Sequence, residues 1–220
     1  MYGLNEMRKE IRYEKPVALL QQAKEEMAAV ANHELFNSST HEKSREKWCA
    51  GMLGLGYEKC VAPCRVAVNN SRERLDADLF LEAAGREFPF QLVESMEPRR
   101  RRGAEYKALA AGDLKGLAYE PDRGRIEGPQ WIAAAIAQKV AKNYAGSKGL
   151  NLLVYANFAG HQLGHAQVVE AARPYFPTFA SIWIVTSLWL GSLHVANDLG
   201  RIEGWGIIFT PEEYAADQAG

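Results

Sequence analysis

The sequence predicts an α/β fold: a mixed central β-sheet flanked by helices on both faces. Three observations carry that expectation. Leu150–Ala156 (LNLLVYA) is a continuous apolar run, as a strand buried on both faces requires. Pro129–Tyr144 (PQWIAAAIAQKVAKNY) reads as a helix, with a proline at its start and Gly146 just past its end. Between them and the N-terminus, three short apolar segments with turn residues at their ends read as strands.

In chain order, Pro16 to about Val30 has apolar residues at helical spacing behind a proline. A second helix is expected over His41–Leu55, after the cap-like Ser38-Ser39-Thr40, with Gly54 and Gly56 ending it. Strands follow at Cys64–Asn69, Asp76–Leu81 and Phe88–Glu94. Glu82–Glu87 is the hairpin loop of the last two, its Gly85 free to take a positive φ. Met96–Gly128 is rich in Arg, Gly, Pro and Asp, and reads as a loop with a short helix near Glu105–Ala111. After Leu150–Ala156 a helix over Gln162–Arg173 stops before Pro174. Phe179–Ser187 and Leu190–Val195 are strands joined by a tight turn. No internal repeat or linker divides the chain, so residues 1–220 are read as one domain with a peripheral first helix.

Composition narrows the function classes. Hydrophobic residues make up 47% of 220, which suits a buried core. A formal net charge of -1 excludes a protein that coats polyanions with its whole surface, so any such binding must use a local patch. Three cysteines, Cys49, Cys60 and Cys64, argue against a disulfide framework. No apolar run is long enough for a bilayer and the N-terminus lacks an apolar targeting core, so a cytoplasmic protein without membrane contact is expected.

The chemistry-bearing stretch is Asp76–Glu105. Asp76 and Asp78 share one face of the first hairpin strand. On the second, Gln91 and Val93 share one face, and Leu92 and Glu94 the other. Carboxylates converging from adjacent strands are what a Mg²⁺-activated water needs. Arg99, Arg100, Arg101 and Arg102 follow, able to fork onto phosphates or to pair with Glu94, Glu97 and Glu105. His161 and His165 lie four apart, but Gln162 stands where a zincin needs Glu, so they read as polar residues at a helix start. Cys60 and Cys64 read as structural thiols, and Trp183, Trp189 and Trp205 as packing residues.

This stretch resembles the PD-(D/E)xK, or restriction-endonuclease-like, superfamily. Asp78 matches the first Asp of its pattern. The second element falls on Gln91-Leu92-Val93, where glutamine replaces the carboxylate and valine the lysine. Within that family the lysine can move to the following helix, and a Glu from an early helix can join the metal shell. The resemblance therefore implies Glu46, Asp78 and Gln91 around Mg²⁺ (or Mn²⁺). It implies catalytic roles for Asp78, Gln91 and Lys139 or Lys142, and phosphate contacts from Arg99–Arg102. The activity it implies is cleavage of phosphodiesters, in DNA rather than RNA, by a protein that family analogy allows to be a homodimer. The alternative is an inactive relative that binds nucleic acid or a protein partner.

Overall fold

The computed structural model describes residues 11–30, 41–70, 77–98, 100, 104–105, 107–108, 111–112, 121–142, 149–158 and 163–213. Its helices are α1 (Pro16–Ala28), α2 (Glu42–Cys60), α3 (Pro121–Ala141) and α4 (His165–Ala172), the last running into a 3₁₀ segment at Arg173–Thr178. The strands are β1 (Cys64–Val68), β2 (Leu79–Ala83), β3 (Arg86–Ser95), β4 (Asn151–Ala156), β5 (Ser181–Val185), β6 (Trp189–Val195) and β7 (Gly206–Ile207).

The seven strands form one mixed sheet in sequential order. β1, β2 and β3 are an antiparallel meander, β3, β4 and β5 run parallel, and β6 and β7 return antiparallel. Parallel neighbours need crossovers, and α3 and α4 supply them. Both crossovers step the same way along the sheet, and crossovers of one hand then place both helices on one face. Ile132 and Ile136 of α3 and Val168 and Ala172 of α4 accordingly pack with Phe80, Leu152, Val154, Ile182 and Ile184. The opposite face, through Val66, Leu79, Leu81, Phe90, Leu153 and Trp183, packs on Met52, Leu53 and Tyr57 of α2, and α1 lies against α2 through Leu19 and Leu20. The expected mixed α/β architecture is present.

The hairpin turn is tighter than the expected six-residue loop. Ala83 pairs with Arg86, leaving Ala84 and Gly85 as the turn with φ of 50° and 73°. Two positive φ values match the right-handed twist of the strands, and only the glycine adopts its value without steric cost.

Two helix ends differ from expectation. Gly54 and Gly56 do not terminate α2, which continues to Cys60. They are packing positions: a Cβ on Gly54 would lie 2.7 Å from both Pro16 Cγ and Val66 Cγ1, and one on Gly56 would lie 2.8 Å from Leu190 Cβ. Gly51 likewise abuts Leu20 of α1. The missing side chains let α2 sit close to α1 and the sheet, an advantage that outweighs their poor helix propensity. α3 begins at Pro121, so Pro129 lies inside it rather than at its start.

Candidate functional site

β3 is ten residues long and β2 only five. Their register ends at Leu79↔Phe90, while β3 continues through Ser95 beside β4. Asp78 fills the notch. Its backbone N–H donates to Phe90 O (2.8 Å), and its carboxylate Oδ2 accepts the Leu92 N–H (2.6 Å) that a longer β2 would have taken. A carboxylate is thereby fixed at the strand edge with its charge 35% exposed.

Around this notch opens a cavity of about 490 Å³. Glu42, Arg45, Glu46, Trp48 and Cys49 reach it from α2, Met27 and Ala28 from the end of α1, and Lys139 from the last turn of α3. Leu92 and Glu94 come from β3, and Tyr155 and Asn157 from β4 and just beyond it. Lys139 Nζ lies 3.7 Å from Asp78 Oδ2 with its side chain only 13% exposed. Glu46 is 7% exposed. Its Oε2 receives Lys43 Nζ at 2.6 Å, and the same ammonium reaches Asn69 O at 2.8 Å. Burial pushes the Glu46 carboxyl above its usual range. Lys43 works against that shift, and the neighbouring Asp78 charge adds to it. On the other flank, Asn157 donates through Nδ2 to Glu94 Oε1 and accepts from Tyr155 OH at 3.2 Å.

Three of the expected site residues, Glu46, Asp78 and Lys139, therefore meet at one cavity although 93 positions separate the outer two. Gln91 does not join them. It is 1% exposed and sits on the other side of β3, where its strand neighbour Val93 packs with the α3–α4 face. Lys142 lies past the end of α3 and is exposed, outside the cavity lining. Arg100 is engaged by Glu105, its Nε donating to both carboxylate oxygens at 2.9 and 3.1 Å, and Arg123 takes Glu97. Arg99, Arg101, Arg102, Asp76 and His161 lie outside the described residues. His165 Nε2 meets Ser192 O at 3.2 Å and its ring meets Trp205 edge-on, a packing role. The three cysteines are free thiols. Among the described residues no helix is long and apolar enough to cross a membrane.

The residue that sequence reasoning passed over is Glu94. Strand parity placed it opposite Gln91, and opposite Gln91 is where the cavity is. The parity that turns Gln91 and Val93 toward the α3–α4 face turns Leu92 and Glu94 toward the cavity.

Among the described residues no three His, Cys, Asp or Glu side chains are grouped closely enough to enclose a metal ion. A Mg²⁺ ion does not need that. It keeps several waters and takes one or two carboxylates, the substrate phosphate completing the shell. Glu46 and Asp78 both line the cavity and are the carboxylates that could reach such an ion.

No protein-family model matches the chain, and no curated protein matches it by sequence. A solved Pseudomonas aeruginosa structure, described as a protein of unknown function of the monooxygenase superfamily, is similar over 98% of this chain and 92% of its own. Its identity is 16% and its TM-score 0.34. A likeness at that level carries no reading of function. The expected PD-(D/E)xK resemblance is corrected: no family model, of that superfamily or any other, matches the chain. The geometry gives the physical reason. The positions read as that motif's second element, Gln91 and Val93, face the core beneath α3 and away from the cavity.

Proposed function

We propose that the cavity beside Asp78 hydrolyses phosphodiester bonds, with DNA as substrate and Mg²⁺ or Mn²⁺ as cofactor. The observation that supports this reading is the convergence of Glu46, Asp78 and Lys139 on one cavity, with Glu94 beside them. Four carboxylates and two cationic side chains line it, an acidic balance that repels a phosphodiester until a cation is added.

Asp78 and Glu46 would hold the cation. When bound, it would polarise the phosphoryl oxygen and acidify a water. Asp78 is suited to this because Leu92 N–H and Lys139 fix its orientation. Glu46 lines the same cavity and would share its Lys43-paired carboxylate with the ion. Lys139 would stabilise negative charge gathering on the phosphoryl group. Glu94, oriented by Asn157, would accept the proton of the attacking water. The new bond forms from water oxygen to phosphorus, the bond to the leaving oxygen breaks, and that oxygen takes up a proton. Arg99, Arg101 and Arg102, in the run that starts four residues beyond the end of β3, would add salt-sensitive affinity for the strand, Arg100 being held by Glu105.

The test is a cleavage assay on labelled DNA with Mg²⁺ or Mn²⁺, comparing the parent with Asp78→Ala. Metal-dependent cleavage lost in Asp78→Ala is expected. Equal rates in the two proteins would refute the site.

A further inference from the structure

Hydrolysis accounts for the polar lining of the cavity, but a cation, a water and a phosphate need only carboxylates and a lysine. The lining is nevertheless largely apolar: Met27, Ala28, Trp48, Leu92 and Tyr155 stand beside the charged groups. Trp48 and Tyr155 meet with ring centroids 4.9 Å apart and planes inclined at 56°, forming an aromatic corner. A volume of about 490 Å³ is in the range of pockets that engulf one small molecule. Tyr155 OH, Asn157 and Glu94 form a hydrogen-bonded chain that ties the aromatic corner to the carboxylates.

We propose that the apolar half of this cavity is a subsite for one unstacked nucleobase, held against Trp48 and Tyr155 while its phosphate lies at Asp78 and Lys139. The inference rests on the hydrolase reading for the identity of the phosphate group. It deepens that reading by naming the substrate class: single-stranded DNA, or a frayed or flipped nucleotide, in preference to intact duplex. The reason is steric and energetic. A base within a duplex has both faces covered by its neighbours and its edge paired, so its ring meets an enclosed aromatic wall only after leaving the stack. Single strands present bases already free to stack on aromatic side chains, with little regard to sequence.

The experiment titrates the full-length protein in Mg²⁺ with thymidine 5′-monophosphate and, separately, with deoxyribose 5-phosphate, by calorimetry. The nucleotide is expected to bind about 5- to 150-fold more tightly, the ratio that one base–aromatic stack supplies. Trp48→Leu is expected to remove that advantage while leaving the affinity for deoxyribose phosphate in place. Equal affinities in the parent, or no binding of either compound, overturn the proposal without any variant. So does an advantage that survives Trp48→Leu. Nucleotide binding at this site without DNA cleavage would sustain the base subsite and refute the hydrolase. Cleavage of duplex and single strand at one rate, with no base advantage, would do the reverse.

Discussion

Replacing Gly54 by alanine perturbs the close packing that sets where α2, and with it Glu46, stands over the sheet. Two effects oppose each other. Alanine in a helix interior gains about 1 kcal/mol over glycine. Against that, the new Cβ would lie 2.7 Å from Pro16 Cγ and 2.7 Å from Val66 Cγ1, inside the range where something must shift. Neither neighbour yields easily: Pro16 is a ring fixed at the start of α1, and Val66 is a fully buried β-branched residue. Overpacking of this kind costs about 1–3 kcal/mol. With two rigid contacts the upper half of that range applies, so a net destabilisation of about 1–2 kcal/mol is expected, or a fall of roughly 2–8 °C in Tm for a chain of this size. Gly149 is the control. A Cβ there meets nothing within 4 Å and its φ is not positive, so Gly149→Ala should stabilise by about 0.4–1 kcal/mol. Thermal denaturation by circular dichroism reads both. A Gly54→Ala protein as stable as Gly149→Ala would refute the claim that α2's glycines are packing positions.

Further outcomes follow from the site and the core. Glu46→Gln should stabilise the protein at neutral pH and abolish cleavage. A carboxyl whose folded pKa is raised favours the fold fully below its unfolded value of 4.5, and that contribution is lost as pH rises through the folded pKa. The gain from Glu46→Gln in urea denaturation should therefore be present at pH 7 and absent below pH 4.5. Lys43 keeps its bond to Asn69 O in that variant. Lys139→Met should lower kcat by roughly 100-fold with the fold retained, as loss of one charge-stabilising donor does; an unchanged kcat would remove Lys139 from the chemistry. Asn151→Ala should cost about 1–3 kcal/mol, because the buried Asn151 Oδ1 accepts from both Ser181 Oγ (2.6 Å) and Asn197 Nδ2 (2.8 Å). Replacing Arg99, Arg101 and Arg102 together by alanine should flatten the salt dependence of single-stranded DNA binding, each lost phosphate contact lowering the slope of log K against log salt by about 0.7.

The sequence shows most of the architecture, and the parts it hides have a common cause. Leu150–Ala156 reads as a central strand because burial on both faces leaves no room for polar residues, and β4 is that strand. The meander is legible from alternating segments and from Gly85. What is hidden depends on contacts distant in sequence. Gly54 and Gly56 carry the composition of a helix end, and only the positions of Pro16, Val66 and Leu190 make them interior. β7 is two residues long, too short for any periodicity, and exists through its pairing with Trp189 and Leu190. The start of α3 at Pro121 was obscured by Gly124, Gly128 and Pro129, residues that ordinarily mark loops. At the site, Asp78, Glu46 and Lys139 were legible as residue types. The face of β3 that carries the site was not, because a motif pattern pointed to Gln91 while the notch left by the short β2 opens toward Leu92 and Glu94.

One comparison decides which face of β3 carries the chemistry. Single-turnover cleavage of single-stranded DNA in Mg²⁺ is measured for the parent, for Glu94→Gln and for Gln91→Met, with each fold verified by circular dichroism. Glu94→Gln is expected to lose cleavage, and Gln91→Met, at a buried position on the other side of β3, to retain it. Cleavage that survives Glu94→Gln but disappears in a folded Gln91→Met would contradict this expectation.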